Sequence, residues 1–510
     1  MSTFHGLEMA KQALFAQQSA LYTLGNNIAN ANTQGYTRQR VNFETLPGYP
    51  TASRNRPQIP GQMGTGVQAG VVERIRNKFL DYQYRAENSK VGYWETKSDA
   101  ISRMEELLNE PSENGLKKTM DEFWQSLQDL SGNPENSGAR SVVAQRGQAL
   151  ANTFNYFANS LNSIRSDLKA QIDVTVTDAN SLIRQVNEIN QQIKSIEPHG
   201  YLANDLYDER DRLIDELSTI VNIKVSYDKS GESSLDIADG LATIEVVDND
   251  GKSLNPPITL VNGQTGEIQE FAVTYSDGSE NRNAVEMISI GNEHFDVANF
   301  PVNGSFRGFI ESYGYIAEDS AGNSIVTGEY TDMLANLDKL AEEFASAFNK
   351  VHENGKDLEG NNGGAFFEFT SGIGAAESLT VSQAILDDPD LLAASSDGTA
   401  GNGDNASALA EVFDQDIPGL GKNASVREYY DSLIGDLGVR AREANRMTNN
   451  TAILRSQVDG RRMSVSSVSL DEEMSNLIKF QHAYNAAARS MTAVDEMIDR
   501  IINNMGLTGR

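Results

Sequence analysis

The side chains best suited to chemistry are few and scattered. His5, His199, His294, His352 and His482 are the five histidines. No two stand at metal-ligand spacing, and there is no H-E-x-x-H pair of the kind that holds zinc on a helix face. The chain has no cysteine, so disulfides, thiolate metal sites and thiol nucleophiles are excluded. It lacks a G-x-S-x-G elbow for an activated serine and a G-x-x-x-x-G-K-[ST] loop for phosphates. Gly64–Ala69 and Gly401–Ala406 meet a relaxed G-x-G-x-x-A pattern. Neither stands between a predicted strand and a helix start, as pyrophosphate binding requires. Asp248-Asn249-Asp250-Gly251 opens like a calcium loop but has no glutamate at the twelfth position, and a hairpin turn fits it better. The residues therefore predict no catalytic, metal or cofactor site, and a chain that is not an enzyme.

What the residues do build is long helices. Near the N-terminus, Leu7, Ala10, Leu14, Gln17, Leu21, Leu24 and Ile28 recur at alternating spacings of three and four. That is a heptad seam with two weak positions. Asn26, Asn27, Asn30, Asn32 and Gly35 then stop the helix, because Asn and Gly tolerate a left-handed cap. The C-terminus mirrors this with Met474, Leu477, Gln481, Tyr484, Ala488, Met491, Asp495, Ile498 and Ile502, flanked by Val494 and Ile501. Its start is marked by Ser469 and Glu472, a capping-box pair, and by Asp471 and Glu473 at the positive end of the helix dipole. The helix is expected to run from Leu470 to Met505 and stop at Gly506. Helix is also predicted over Lys78–Glu110 (halted by Pro111), Gly115–Leu130, Ala139–Ile196 (one very long helix or two stacked), Asn204–Ile220, Thr331–His352, and from Ser425 to about Gly460 behind a Ser425/Glu428 capping box.

Between residues 221 and 302 the texture changes. Runs at Ile223–Tyr227, Ala242–Val247, Phe271–Tyr275 and Val285–Ile290 read as strands, with turns at Asp250-Gly251 and Asp277-Gly278. The predicted fold is multidomain α+β. Its N- and C-terminal helices pair as a coiled coil, its body is a bundle of long helices, and a β-rich domain is inserted. The expected units are 1–35 with 470–510; 36–220 with 305–352 and 421–469; 221–304; and a loop-rich acidic region at 353–420.

Charge divides the chain in the same way. The net charge is −30, yet residues 1–80 carry +5 and residues 421–510 carry +1, while residues 231–420 carry −28. So acidic a chain repels phosphate backbones and anionic lipid, which argues against nucleic-acid binding. No apolar run approaches the ~18 residues of a membrane span, so membrane insertion is not expected. The near-neutral ends suit close packing and the acidic middle suits solvent. Met1 to Ala20 has no basic leader, and Glu8, Lys11, Gln12, Gln17 and Gln18 interrupt any apolar core. A cleavable secretory signal is therefore not expected.

Asn27-Ile28-Ala29-Asn30-Ala31-Asn32-Thr33-Gln34-Gly35-Tyr36-Thr37-Arg38 resembles the signature shared by bacterial flagellar rod, hook and hook-associated axial proteins. Ser469 to Ile478, with Gln481, Tyr484, Ala488 and Arg489, resembles the matching C-terminal signature. Gly64-Thr65-Gly66-Val67 leading to Ile75-Arg76 and Phe79-Leu80, and Asn349–His352 leading to Phe366-Phe367, are similar to interior motifs of hook-associated members. The resemblance implies a secreted structural subunit that serves motility and flagellum assembly at the hook–filament junction. It also implies type III export without signal cleavage and polymerisation with copies of itself into a tube. Leu7, Leu14, Leu21, Leu24, Ile28, Met474, Leu477, Tyr484, Met491, Ile498 and Ile502 would form the polymer interface, and Asn27, Asn30, Asn32, Gly35 and Tyr36 carry the family signature. Further implied partners are the hook protein, a second junction protein, and a cytosolic export chaperone on Leu477, Ile478, Tyr484, Met491, Val494 and Ile498. The competing readings are the hook protein or another axial subunit, and a filament-associated adhesin or enzyme carried by the β insertion.

Overall fold

A computed structural model describes residues 3–50, 53–58, 61–108, 115–276, 283–319, 321–370, 372–421 and 424–504. Pro111, the Asp277-Gly278 turn, Met505 and Gly506 lie outside the described residues.

Twelve helices carry most of these residues: α1 (Thr3–Ala29), α2 (Lys78–Leu107), α3 (Leu116–Gly132), α4 (Ser137–Ile196), α5 (Asn204–Ile220), α6 (Ser305–Tyr313), α7 (Glu329–Asn354), α8 (Ala375–Ser378), α9 (Gln383–Asp387), α10 (Asp404–Glu411), α11 (Val426–Ser466) and α12 (Leu470–Asn504). Their starts are chemically marked. The Asn77 side chain accepts from Phe79 N, and that of Asn136 accepts from Gly138 N and Ala139 N. At Ser425 the hydroxyl accepts from Glu428 N while the Glu428 carboxylate accepts from Ser425 N. Each cap satisfies amides that the first helical turn leaves unpaired. The 60 residues of α4 form one helix, about 90 Å long at 1.5 Å per residue. It ends at Glu197-Pro198-His199, where Gly200 takes φ +81°.

The bundle axis is an antiparallel pair. Ser98 on α2 bonds Asn445 on α11, Asn88 bonds Arg455, and Asp81 pairs with Arg462. Helices α3, α4 and α7 close on a cluster of phenylalanines. Phe123, Phe344, Phe348, Phe366, Phe367 and Phe413 pack with ring centroids 4.8–5.9 Å apart, where edge-to-face contacts add to simple burial.

The strands are β1 (Gln39–Thr45), β2 (Val67–Arg74), β3 (Ile223–Asp228), β4 (Leu241–Val247), β5 (Ser253–Val261), β6 (Phe271–Tyr275), β7 (Val285–Ile290), β8 (Glu293–Asp296), β9 (Tyr315–Glu318), β10 (Ser324–Thr327), β11 (Phe367–Glu368) and β12 (Thr380–Val381). Three antiparallel strands run β3-β4-β5, and a second sheet runs β10-β9-β7-β6 with β8 on β7. The β4–β5 connection is the turn at Asp248–Gly251. Asp248 Oδ1 accepts from Asp250 N and Lys252 N there, and Gly251 takes φ +77°.

Beyond the unanticipated short elements α6, α8–α10 and β8–β12, three further features depart from the sequence expectation. The β1–β2 hairpin, paired Gln39 to Arg74 and Val41 to Val72, was not anticipated. Helix α11 runs through Gly460 to Ser466, because a glycine lacking a C-cap partner only weakens a helix. Strand β5 passes through Pro256 and Pro257, which the ladder tolerates at an edge.

Helices α1 and α12 form an antiparallel coiled coil. The end of α1 meets the start of α12 through Asn27 and Glu473, and Gly6 lies 3.6 Å from Val494 by its Cβ position. The buried side of α1 is lined by Ala10, Ala16, Ala20 and Leu24. Among the described residues, these do not join the main apolar cluster, which runs from Ala100 to Ala444. No helix among the described residues is long and apolar enough to cross a membrane.

Candidate functional site

The terminal pair is joined to the body by polar contacts. Asn27 is fully buried on the last turn of α1. Its Nδ2 donates to Gln39 O at 2.8 Å and to Glu473 Oε2 at 3.1 Å. Its Oδ1 accepts from Gln39 N at 3.0 Å and from the Tyr36 hydroxyl at 2.8 Å. One amide thereby ties α1, β1 and α12 together. Arg38 completes the joint: its Nε donates to Glu473 Oε1 at 2.7 Å, its Nη1 to Glu472 Oε2 at 2.6 Å, and its backbone N to Ser466 O at 2.9 Å. Burial, with the nearby carboxylates of Asp208, Asp205 and Glu473, pushes the Tyr36 hydroxyl pKa well above its usual value, so it stays a donor.

The turn between α1 and β1 follows from local chemistry. Asn30 Nδ2 donates to Asn26 O at 3.1 Å and to Asn26 Oδ1 at 2.9 Å, and the Thr33 hydroxyl donates to Asn30 Oδ1. Gly35 then takes φ +82° beside Arg212, a conformation L side chains avoid. Asn32 is exposed.

A second network continues into the body. Thr37 N donates to Asp208 Oδ2 at 3.0 Å. Arg74 on β2 pairs with Asp208 at 2.7 Å and Asp211 at 3.1 Å, and also bonds Asp239. Arg76 bridges Asp81 at 2.7 Å and Asp211 at 2.9 Å. Arg85 reaches Asp211 at 3.2 Å and Asp215 at 2.7 Å, and Arg462 reaches Asp81 at 2.8 Å and also pairs with Asp215. Burial disfavours the Asp211 carboxylate, but Arg76, Arg74, Arg85 and Arg210 outweigh it and hold its pKa well below the usual range. Hairpin β1–β2, α2, α5 and α11 thus meet at alternating charges. Arginine suits this role because its planar fork can bridge two carboxylates. Among the described residues, no group of three His, Asp or Glu side chains could hold a metal ion.

The heptad residues are divided by this pairing. Leu24 is buried, and Leu7, Leu14, Leu21 and Ile28 are half-buried. On α12, Leu477, Tyr484, Met491, Val494 and Ile498 are half-buried, while Met474, Ile478 and Ile502 are exposed. Of the anticipated seam, Leu477, Tyr484, Ala488, Met491 and Ile498 lie on the half-buried side of α12, while Met474, Gln481, Asp495 and Ile502 are exposed. Sequence reasoning found Asn27 and Tyr36 but missed Gln39, Glu473 and the Arg74–Asp211 network as parts of one joint. Glu472 and Glu473 were read as cap and dipole residues, and their shared partner, Arg38, is 434 and 435 residues away.

A family model described as the helical domain of flagellar hook-associated protein FlgK matches residues 101–367. Models of the flagella basal body rod protein and of the flagellar basal body rod FlgEFG protein C-terminus match residues 7–37 and 461–505. The chain is 49% identical to flagellar hook-associated protein 1 of Bacillus subtilis, with 100% of each chain covered. The chain belongs to the flagellar hook-associated protein 1 family. Hook-associated protein 1 of Escherichia coli is 26% identical over 97% of this chain and 98% of its own. The solved flagellar hook junction protein FlgK from Burkholderia pseudomallei shares the fold, with a TM-score of 0.57 at 13% identity over 76% of this chain and 100% of that one. In this chain the two end models each hold part of the joint. Asn27 and Tyr36 lie in the first, and Ser466, Glu472 and Glu473 in the second.

Proposed function

We propose that the chain is a structural subunit of the bacterial flagellum, placed at the junction of hook and filament, and that it polymerises through its terminal helices. The observation that carries this reading is the terminal pair itself. Helices α1 and α12 are anchored to the body by a buried polar joint, yet Phe4, Phe15, Tyr22, Met474, Ile478, Met497, Ile501 and Ile502 remain exposed along them. Apolar residues left in water on a firmly held element await a neighbour. The near-neutral ends allow copies to approach closely, while the acidic middle stays in solvent. Membership of the family supports an extracellular axial role, one of support rather than catalysis.

The hook protein on one side and a second junction protein on the other are the further partners of this reading. A cytosolic chaperone would cover α12 before export. Leu477, Tyr484, Met491, Val494 and Ile498 are half-buried beside α1, so the chaperone would take the place of α1 on that stripe, as a groove takes an amphipathic helix.

The test is Leu21→Asp in cells carrying it as their sole copy. Leu21 lies outside the main apolar cluster, so the body is expected to keep its fold. The cells should make hooks without filaments, as seen by electron microscopy. Normal filaments in that strain would overturn the reading.

A further inference from the structure

The exposed rings of α1 stand in one line. Phe4, Phe15 and Tyr22 are 65%, 57% and 71% exposed. At 3.6 residues per turn their spacings of eleven and seven bring them to the same side of the helix. That side is opposite the stripe of Ala16, Ala20, Leu24 and Asn27 that is buried. Behind the helix, at the height of Tyr22, lies an open cleft of about 280 Å³ bounded by α1, β1 and α12. Its floor is Leu24, Val41, Phe43 and Phe480, the two rings lying 5.8 Å apart by centroid. Its rim carries Lys479 and Arg40, the latter also paired with Glu73. The volume falls just short of the usual range for small-molecule pockets.

We infer that this cleft receives the Tyr22 ring of a neighbouring copy. The inference rests on the reading that the terminal helices are polymer contacts, and it assigns the two surfaces that meet. An aromatic ring suits an apolar slot flanked by two other rings. Its electron-rich face complements the cations at the rim. Tyr22 is the knob because it sits at the same axial height as the cleft, whose wall includes Ala20, Thr23 and Leu24 of the same helix. Knob and socket therefore lie back to back across one helix. Each copy offers one and fills another, which is a heterologous contact that propagates laterally into a ring or a shallow helix. The terminal segments are also where two copies of this acidic chain meet with little repulsion, since residues 1–80 carry +5 and residues 421–510 carry +1.

The absence of cysteine from the natural chain makes the contact directly readable. Tyr22→Cys and Asn476→Cys are placed together in the sole chromosomal copy, flagella are isolated, and a short bismaleimide is added before denaturation. A ladder of dimers, trimers and higher multimers is expected, with monomer only for each single substitution. Filamented cells whose double variant stays monomeric would overturn the knob and socket while leaving polymerisation intact. A ladder from Met497→Cys with Asn476→Cys, but not from Tyr22→Cys, would overturn it by seating the end of α12 in the cleft. Absence of the natural chain from isolated flagella would overturn both this contact and the reading beneath it. Should the double variant fail to assemble, the two single substitutions carried on separate copies beside the natural chain are expected to give crosslinked dimers. Assembled flagella without those dimers would overturn the contact.

Discussion

Asn27 uses the full capacity of its side chain: two donors are spent on Gln39 O and Glu473, and the carbonyl accepts twice, from Gln39 N and Tyr36. Removing it strands several buried groups at once. An unmet buried partner costs more than the net value of a bond, so Asn27→Ala is expected to weaken the joint by about 2–4 kcal/mol. Asn27→Asp should be worse, because it places a carboxylate against Glu473 and loses both donors. Hydrogen exchange read by mass spectrometry checks this. Amides of 37–41 and 470–476 should exchange faster, with those of α4 unchanged, whereas natural protection at both segments in Asn27→Ala would contradict the account. The Asn-rich segment was visible in the sequence because Asn and Gly end helices. The reason for this particular asparagine was not visible, since Glu473 stands 446 residues away.

Helices were the most legible elements, for a physical reason. Periodicity and caps are local, so the helical span of α4 could be read from the absence of proline, though not whether it was one helix or two, and α11 from Ser425 and Glu428. The β1–β2 hairpin escaped because its strands are separated by residues 46–66, with no tight turn to announce the pairing. Only part of the seam of α12 was legible, with Leu477, Tyr484, Met491 and Ile498 half-buried but Met474 and Ile502 exposed, because both sides of that helix carry apolar residues and the choice between them is made by α1 and Phe43 rather than by α12. Close approach between helices is equally hidden. At Gly92 on α2, an added Cβ would lie 2.2 Å from Thr219 O and 3.2 Å from Ser305 N. Gly92→Ala should therefore destabilise the body by about 1–3 kcal/mol despite the better helix propensity of alanine. Gly435 on α11 has nothing within 4 Å of its Cβ position, and Gly435→Ala should stabilise by up to about 1 kcal/mol. Urea midpoints measured at constant slope decide the matter, and equal midpoints for the two variants would refute the packing argument.

Across the whole molecule, two kinds of buried titratable group lie far apart in pH. His352 of α7 is fully buried. Its Nδ1 is 2.7 Å from Gly364 O, and its Nε2 accepts from Ala393 N at 2.9 Å. Burial lowers its pKa, with Arg140 also opposing the charge. A proton on Nε2 would face an N–H donor. The unfolded chain binds that proton more readily than the folded one, so the stability His352 contributes is present above about pH 6.5 and is lost as pH falls below it. The Arg–Asp network behaves differently. Asp211 and Asp239 have depressed pKa values, against the pull of burial. Their contribution is present above the ordinary aspartate value, about 3.9, and is lost only as pH falls toward their lower folded values. Asp208 has the opposite sign: burial raises its pKa in spite of Arg74, so protonating it relieves a cost. Acidification from pH 7.5 to 5 should then loosen the segments held by His352, 355–366 and 392–395, while 74–85 and 205–215 keep their order. Hydrogen exchange corrected for the intrinsic effect of pH measures this. Segments 355–366 and 392–395 should lose protection first, because the arginines around Asp211 and Asp239 hold those two carboxylates charged throughout that interval. The reverse order would mean that the network, rather than the histidine, is the molecule's acid-sensitive part.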